Sequence, residues 1–231
     1  MTKGYILYEG PSRIDGEPIV AIATFGSKNS KTGDMIQTFI IRSDIRPTDA
    51  IKSLDDKSIC GDCPQRFGLG GGCYVRTFFG PDSIYKAYKA GKYSRVWNSD
   101  VFNGESIRIG SYGDPTAVPV EVWRTVLRNS KKHTGYTHHW DNENNQEYRD
   151  ILMASVETYV GRVRAANKGW RTFRMINDIS DLGVGEMLCL NLTHGIKCKK
   201  CGMCYGKGQA KDLCIYPHGI VKKRVFSKVN G

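Results

Sequence analysis

Several common features are missing from this chain of 231 residues. No apolar run approaches the roughly 18 residues of a transmembrane helix, so we expect no membrane span and no membrane partner. The opening MTKGYILYEGPS lacks a basic segment followed by an apolar run, so we expect no signal peptide. Neither a phosphate-binding loop, a dinucleotide-binding glycine motif nor a nucleophile elbow occurs, which disfavours P-loop NTPases, Rossmann-type dehydrogenases and serine hydrolases.

The composition is that of an ordinary globular protein. Hydrophobic residues make up 40% of the chain and charged residues 25%, which disfavours intrinsic disorder. A chain of this length can bury an apolar core without the help of disulfides. We therefore expect a reducing cytoplasm, where clustered cysteines serve more often as metal ligands or redox groups than as disulfides.

The net charge of +11 is unevenly distributed. Residues 193–231 contain nine Lys and Arg and a single acid, Asp212. Such a segment is typical of proteins that bind phosphate-rich partners, chiefly nucleic acid, and it is equally typical of a solvated, solubilising tail. On the first interpretation the nucleic-acid-binding residues are Lys199, Lys200, Lys222, Lys223 and Arg224.

The start of the chain predicts a β-meander. Runs of β-forming residues at 5–8, 19–25 and 35–41 are separated by clusters of Gly, Pro, Ser and Asn. A short helix is expected at 48–54, and the glycine-rich segment SICGDCPQRFGLGGGCYV that follows it predicts a loop.

From residue 73 onward, strands alternate with helices of about ten residues. The predicted strands are 73–78, 106–110, 134–138, 151–156, 170–176 and 186–190, and the predicted helices are 83–90, 120–131 and 158–167. This alternation predicts an α/β fold of βα units with a parallel sheet, either open or curled into a partial barrel. We expect three regions: the β-meander (1–45), a βα core that carries the first cysteine group (46–192), and a basic, cysteine-rich, metal-binding C-terminal segment packed on that core (193–231).

Seven of the eight cysteines fall into two groups. The second group along the chain has the pattern Cys189-x8-Cys198-x2-Cys201-x2-Cys204. Three cysteines at this short spacing wrap the chain around one centre, as in ferredoxin-type [4Fe–4S] ligation, and zinc knuckles with an additional cysteine are the alternative. We expect a closed metal site here, because the group supplies four ligands of its own.

The first group, Cys60-x2-Cys63-x9-Cys73, has only three cysteines. Either a fourth ligand comes from elsewhere in the chain and the site is structural, or the metal keeps one position open for a substrate or cofactor and the site is catalytic. The candidate fourth ligands are Cys214, His138, His139 and Asp62. Cys214 lies in the apolar, strand-like run LCIY, which favours a buried core thiol instead.

Polar residues follow several predicted strands, at the positions where βα folds place their working groups. We expect catalytic roles for Asp114, His138 and Glu157, and cofactor-binding roles for Gly113 and Asn177. Turns favour Gly, Asp and Asn in any case, but this does not explain the adjacent histidines His138 and His139. Because neighbouring residues of a strand point to opposite faces, we expect at most one of these two histidines to reach a site.

Seven segments of the chain carry a family resemblance. They occur in the order CGDCPQR, GCYV, IRIGSYGDPTAVPVEVW, HTGYTHHW, ILMASVE, GWRTFRMI and CKKCGMC. Through these motifs, residues 32–219 resemble a family of uncharacterised proteins encoded by phages and their bacterial and archaeal hosts. The resemblance implies a viral or mobile-element origin and the cytoplasm of an infected bacterial host, but it implies no activity.

A second resemblance concerns chemistry. Three cysteines ending in Cys73-Tyr74, followed by a Gly-Asp-Pro turn after the next strand, look like radical S-adenosylmethionine enzymes. That resemblance implies a partial barrel, a [4Fe–4S] cluster whose open iron binds S-adenosylmethionine, and an auxiliary cluster that Cys189 to Cys204 would match. The spacing differs from the Cys-x3-Cys-x2-Cys of that family.

Three functions follow from these observations. The first is an iron–sulfur enzyme that acts on nucleic acid, with S-adenosylmethionine as cofactor if the second resemblance holds. The second is a zinc-stabilised protein that binds nucleic acid without catalysis. The third is a phage protein that binds and redirects a host protein, in which the metal serves only the fold.

Overall fold

The structure, a computed structural model, describes residues 4–217. Its first sheet contains, in spatial order, β1 (Gly4–Pro11), β2 (Pro18–Thr24), β3 (Ile36–Arg42), β4 (Ser106–Tyr112) and β5 (Lys132–Thr134). Strands β1, β2 and β3 are antiparallel neighbours, whereas β4 and β5 run parallel to β3. The predicted meander is confirmed, and its last strand is also the first strand of a parallel array.

The second sheet is entirely parallel. Its strands are β6 (Tyr136–Thr137), β7 (Met153–Val156), β8 (Thr172–Met175), β9 (Glu186–Leu188) and β10 (Asp212–Ile215). The spatial order is β6-β7-β8-β10-β9, so the last strand of the chain lies between β8 and β9. The prediction of an α/β fold with parallel strands is therefore confirmed, as two sheets, one mixed and one parallel.

A single residue, Gly135, separates β5 from β6. A Cβ atom at this position would lie 2.6 Å from Cδ2 of Leu152 and 3.2 Å from Cβ of Ile109, so only glycine lets the neighbouring chains approach this closely. The predicted strand 134–138 is thus divided, with one half paired to β4 and the other half to β7. Because β5 and β6 continue one another, strands β3 to β8 all run in one direction, and we call their carboxyl ends the carboxyl edge.

Helices and 3-10 turns connect the strands. The α-helices among the described residues are α1 (Pro47–Ser53), α2 (Lys57–Cys60), α3 (Gly80–Lys89), α4 (Val120–Leu127), α5 (Tyr159–Asn167), α6 (Leu190–His194) and α7 (Cys198–Cys201). The longest 3-10 segment, Glu143–Asp150, leads from β6 to β7. None of the helices in the described part of the chain is long and apolar enough to cross a lipid bilayer.

Helix α4 shows how the sequence places one face of a helix in the core. Val120, Trp123 and Val126 recur every three residues and are all buried. The indole of Trp123 is fully buried, and its Nε1 donates to the carbonyl oxygen of Pro115 at 2.9 Å. The helix ends at Leu127, earlier than predicted, because Lys131 donates its amide to Glu105 and the chain then enters β5.

The strand predicted at 73–78 is wrong. The backbone amide of Cys73 donates to the carbonyl oxygen of Gln65 at 2.9 Å, within the preceding loop, and is therefore not available to a sheet. The residues after it form turns that lead into α3. The β-forming residues of this segment serve instead to close the first cysteine loop.

Candidate metal centres

The first cysteine group lies in a tightly hydrogen-bonded loop. Helix α2 ends at Cys60, and the amide of Cys63 donates back to the carbonyl oxygen of Cys60 at 3.2 Å. Inside the loop, the guanidinium of Arg66 is buried, forms an ion pair with the buried carboxylate of Asp56 and donates to the carbonyl oxygens of Leu54 and Gly61. Since a buried ion pair with all these partners has little freedom to move, the loop is a rigid frame for its thiols.

This loop lies against the carboxyl edge. The amide of Asp114, which follows β4, donates to the carbonyl oxygen of Ile59 at 2.6 Å. Arg42, the last residue of β3, donates to the hydroxyl of Ser58 at 2.9 Å. Tyr74 donates to the sulfur of Met175, the last residue of β8, at 3.6 Å. The loop and helix α2, which leads into it, therefore contact the ends of strands from both sheets.

His138 connects the loop to the ends of two further strands. Its Nδ1 lies 3.3 Å from Sγ of Cys63, and its Nε2 lies 3.2 Å from Oε1 of Glu157, which follows β7. Burial by itself lowers the pKa of His138, but the hydrogen bonds to Cys63 and Glu157 outweigh burial and raise this pKa to about 10. Two of the three predicted catalytic residues are thus in contact, and one of them, His138, also contacts a thiol of the first group.

The third predicted catalytic residue, Asp114, holds His138 in place. Its Oδ2 accepts from the hydroxyl of Thr137 at 3.0 Å and from the amide of His138 at 2.9 Å. Its Oδ1 accepts from the amide and the hydroxyl of Thr116 at 3.0 and 2.8 Å. Both oxygens of this buried carboxylate are engaged, so its contribution is to position the histidine.

Gly113, predicted to bind a cofactor, has a backbone role in the structure. Its φ of +81° is in the region that favours glycine, and a Cβ atom would lie 2.7 Å from the carbonyl oxygen of Ile40. Asn177, the other predicted cofactor-binding residue, is exposed after β8 and donates its amide to the carboxylate of Asp181. The structure does not bring Asn177 together with His138 and Glu157 through any hydrogen bond of the described residues.

Both adjacent histidines contact the first cysteine loop, but only His138 contacts a thiol through a hydrogen bond of the described residues. Strand β6 ends at Thr137, so the alternation of a strand no longer applies to the histidines. The Nε2 of His139 lies 3.1 Å from the carbonyl oxygen of Cys60, while His138 contacts Cys63. The ring of His139 covers Gly61, where a Cβ atom would lie 2.0 Å from its Cε1.

The thiols of the first group are close enough to influence one another. Burial raises the pKa of Cys60 well above its usual value, and negative charge on Cys73 raises it further. Burial also raises the pKa of Cys73 to about 11. A cation in this loop would have to displace the thiol protons, so the loop would bind it more strongly as the pH rises.

The four cysteines of the second group line one narrow cavity. Its walls also include Thr134 and Leu213, and its free volume of about 10 Å³ is that of one water-sized sphere. Burial raises the pKa of Cys204 to about 12. The turn after α7 is made by Gly202, whose φ is +66°. The four cysteines that line this cavity are Cys189, Cys198, Cys201 and Cys204.

As the described residues place them, neither cysteine group forms a ready-made metal site. Among residues 4–217, no three His, Cys, Asp or Glu side chains converge closely enough to hold a metal ion as they stand. The donors are nevertheless chemically suited to iron–sulfur clusters or zinc, since thiolate and imidazole are the ligands both prefer. The free volume at the second group is that of one water-sized sphere, so a cubane cluster there would require the segment to open.

Two of the predicted nucleic-acid-binding residues lie in the described part of the chain, as does Cys214. Lys199 donates to the carboxylate of Asp34 at 2.7 Å, and Lys200 is exposed. Lys222, Lys223 and Arg224 lie outside the described residues. Cys214 is fully buried in β10, as predicted for a core thiol.

Sequence reasoning missed the residues that hold the site together. Arg66 and Asp56 are both buried and anchor the first loop, and Thr116 and Thr137 orient Asp114. The run Asp114-Pro115-Thr116 carried a usable signal, because Asp followed two residues later by a hydroxyl is typical of a capped turn. The Arg66–Asp56 pair carried none, since the two residues look like ordinary surface charges in the sequence.

Comparison with known proteins adds no family to this description. No family model matches the chain, and searches of curated proteins and of solved structures give no match.

Proposed function

We propose that the protein is an iron–sulfur enzyme whose reactive centre is held by Cys60, Cys63 and Cys73 at the carboxyl edge. One observation carries the proposal: the three-cysteine loop and helix α2, which leads into it, together contact the ends of strands from both sheets. Helix α2 contacts the ends of β3 and β4, and the loop contacts the ends of β6 and β8 and, through His138, the residue after β7. In open α/β sheets, ligands bind outside the carboxyl ends of the strands. A metal site that only stabilises a loop does not need to lie outside the carboxyl ends of the strands.

The direction of the strands supports a partial barrel of the radical S-adenosylmethionine type. Six consecutive strands, β3 to β8, share one direction, and the cysteine loop follows the first of them. The Gly113-Asp114-Pro115 turn follows the second. A cluster with three cysteine ligands would supply an open iron for S-adenosylmethionine. The same proposal includes a phage origin, the cytoplasm of a bacterial host and a nucleic-acid substrate.

The residues of the chain have separate tasks in this proposal. Cys60, Cys63 and Cys73 are the ligands. Asp114 and Glu157 hold the ring of His138 against the sulfur of Cys63. Asp114 accepts a hydrogen bond from the backbone amide of His138, and Glu157 contacts its Nε2. A hydrogen bond to a ligand sulfur is one of the ways in which a protein tunes a cluster potential.

A second function is favoured by the position of His138. On a tetrahedral zinc ion, a sulfur at about 2.3 Å and a nitrogen at about 2.0–2.1 Å lie about 3.6 Å apart. The observed 3.3 Å between Cys63 Sγ and His138 Nδ1 is close to this value. With His138 as fourth ligand the first site is closed, and the protein is a zinc-stabilised nucleic-acid-binding or host-binding protein without catalysis.

Metal analysis of the anaerobically purified full chain separates these functions. The enzyme proposal expects a coloured protein with broad visible absorbance, and about four irons lost in the variant Cys60→Ser/Cys63→Ser/Cys73→Ser. It also expects S-adenosylmethionine to change the EPR spectrum of the reduced cluster. The matched control is Cys214→Ser, which should keep the full metal content.

His138→Ala tests the role of the histidine. An open iron–sulfur cluster should keep its iron in this variant, whereas a Cys3His zinc site should lose its ion. A colourless protein with stoichiometric zinc that depends on His138 overturns the enzyme proposal and supports the second function.

A further inference from the structure

A cavity beside the second cysteine group is lined by lysines. It has a volume of about 560 Å³, within the range of ligand sites in proteins. Its walls come from the loop between β2 and β3 and from the segment around α7. The charged residues that line it are Lys28, Asp34, Lys197, Lys199 and Lys200.

The loop between β2 and β3 is rigidly folded. The side-chain oxygen of Asn29 accepts from the amides of Lys31 and Thr32 at 2.9 and 3.0 Å, and the amide of Gly33 donates to the carbonyl oxygen of Asn29 at 2.9 Å. These bonds close a compact turn that carries Lys28 at one side of the cavity.

Backbone hydrogen bonds attach this loop to the second cysteine group. The amide of Cys198 donates to the carbonyl oxygen of Lys31 at 3.0 Å, and the amide of Lys199 donates to that of Thr32 at 3.2 Å. The ammonium of Lys199 also pairs with the carboxylate of Asp34. Residues more than 160 positions apart in the sequence are thereby fixed on two walls of one cavity.

The charge of the cavity is positive after this pairing. Lys199 is neutralised by Asp34, which leaves the ammonium groups of Lys28, Lys197 and Lys200 without a carboxylate among the residues that line the cavity. The remaining lining is made of Ser, Asn and Gly, and contains no aromatic side chain. Lysine and serine suit phosphate oxygens, whereas stacking of bases requires aromatic rings.

We propose that this cavity binds the phosphate backbone of nucleic acid, without preference for sequence. The continuous positive charge of residues 193–231 favours a polyanion over a small phosphate compound. The inference rests on the nucleic-acid partner of the proposed function and deepens it by naming the residues that bind that partner, and it holds whichever metal the cysteines bind. It also assigns Lys28 and Lys197 to the interface, together with Lys200.

The test is fluorescence anisotropy of the full chain with a labelled single-stranded oligonucleotide of mixed sequence, titrated over a range of salt. In the variant Lys28→Gln/Lys197→Gln/Lys200→Gln, three lost phosphate contacts should reduce the slope of log K against log salt by about 2. If the variant and the unaltered protein bind equally at about 1 M salt, the variant should bind about 100-fold more weakly than the unaltered protein at about 0.1 M salt. Lys199 is left in place because its pairing with Asp34 holds the loop.

The matched control is Lys52→Gln/Lys86→Gln/Lys92→Gln, which removes the same charge from exposed positions on other parts of the surface. Its slope should stay close to that of the unaltered protein. Metal content is measured on every preparation. If the cavity variant loses metal, the single variant Lys28→Gln, which lies outside the cysteine segment, should still reduce the slope by about 0.7.

Three results would overturn the proposal. The first is an unchanged slope in the cavity variants, and the second is an equal reduction in the control. The third is full competition by inorganic tripolyphosphate at the same phosphate concentration, which would show a pocket for small anions. Failure of the iron–sulfur proposal would show in the metal analysis and would leave these binding results unaffected.

Discussion

The two cysteine groups take their surroundings from different parts of the fold. The group of Cys189 to Cys204 lies within one segment of sixteen residues and lines its own cavity. The group of Cys60 to Cys73 is completed by side chains that follow distant strands, His138 and Glu157. A site that takes all its cysteines from one short segment suits a structural role, whereas a site assembled at the ends of several strands suits chemistry on a ligand.

The strongest way to break this comparison is to remove one ligand of the second group. Cys204→Ser should abolish metal binding there, and with it a binding free energy of about 10 kcal/mol if the metal is structural zinc. Metal analysis and thermal unfolding measure the effect. The first group should keep its metal, so loss of metal from both groups would show that they fold as one unit.

Glycine substitutions compare the two regions without touching a ligand. Gly195→Ala places a side chain at a φ of +65° in open space and should cost about 1–2 kcal/mol. Gly61 has a φ of +51°, so Gly61→Ala should carry a similar backbone cost. The new side chain also forces the ring of His139 to move, which should lower the free energy of unfolding by about 1–3 kcal/mol more. Denaturant unfolding measures both variants, and equal costs would show that His139 is loosely held.

Glu157→Gln sharpens the comparison at the first group. If His138 is a ligand, removing the charge that faces its Nε2 should weaken metal binding at this group about 10–100-fold. Competition with a chelator gives the affinity, and the second group serves as an internal control in the same sample. An unchanged affinity would mean that Glu157 acts on something other than the metal.

The eighth cysteine provides the smallest test. Burial, reinforced by the nearby carboxylate of Glu186, raises the pKa of Cys214 to about 12, so at pH 9 only about one molecule in a thousand carries the thiolate. After chelation, iodoacetamide should therefore modify the half-buried Cys189 and Cys201 well before Cys214. Mass spectrometry of the labelled peptides measures the order, and in denaturant all three should react alike.

Local sequence patterns were sufficient for much of the secondary structure. The meander, the helix that buries Trp123 and the buried thiol Cys214 all follow from the spacing of apolar residues over a few positions. Such patterns report only the local structure of a segment, and not which distant segment will pack against it. They were wrong at 73–78, where apolar and β-branched residues serve a loop, and at 134–138, where one glycine divides the strand between two sheets.

The candidate site was only partly predictable for the same reason. His138 and Glu157 were recognisable as polar residues after strands. Their roles depend on the distance from His138 to Cys63, 75 residues earlier in the chain, and on the contact of Glu157 with His138. Nothing in the run of residues around Lys28 indicated that it would face Lys197. A motif reports which ligands are available, and the strand order decides which of them meet.

What the sequence determined by itself was the inventory: seven cysteines in two groups, a basic C-terminal segment, and strands and helices that alternate. Only the tertiary structure decided that the first group lies at the ends of parallel strands beside His138, and that the second group lines its own cavity. The physical reason is that spacing along the chain constrains ligands within one loop. Contacts between distant segments depend instead on how the sheets pair and on where a glycine allows two chains to approach.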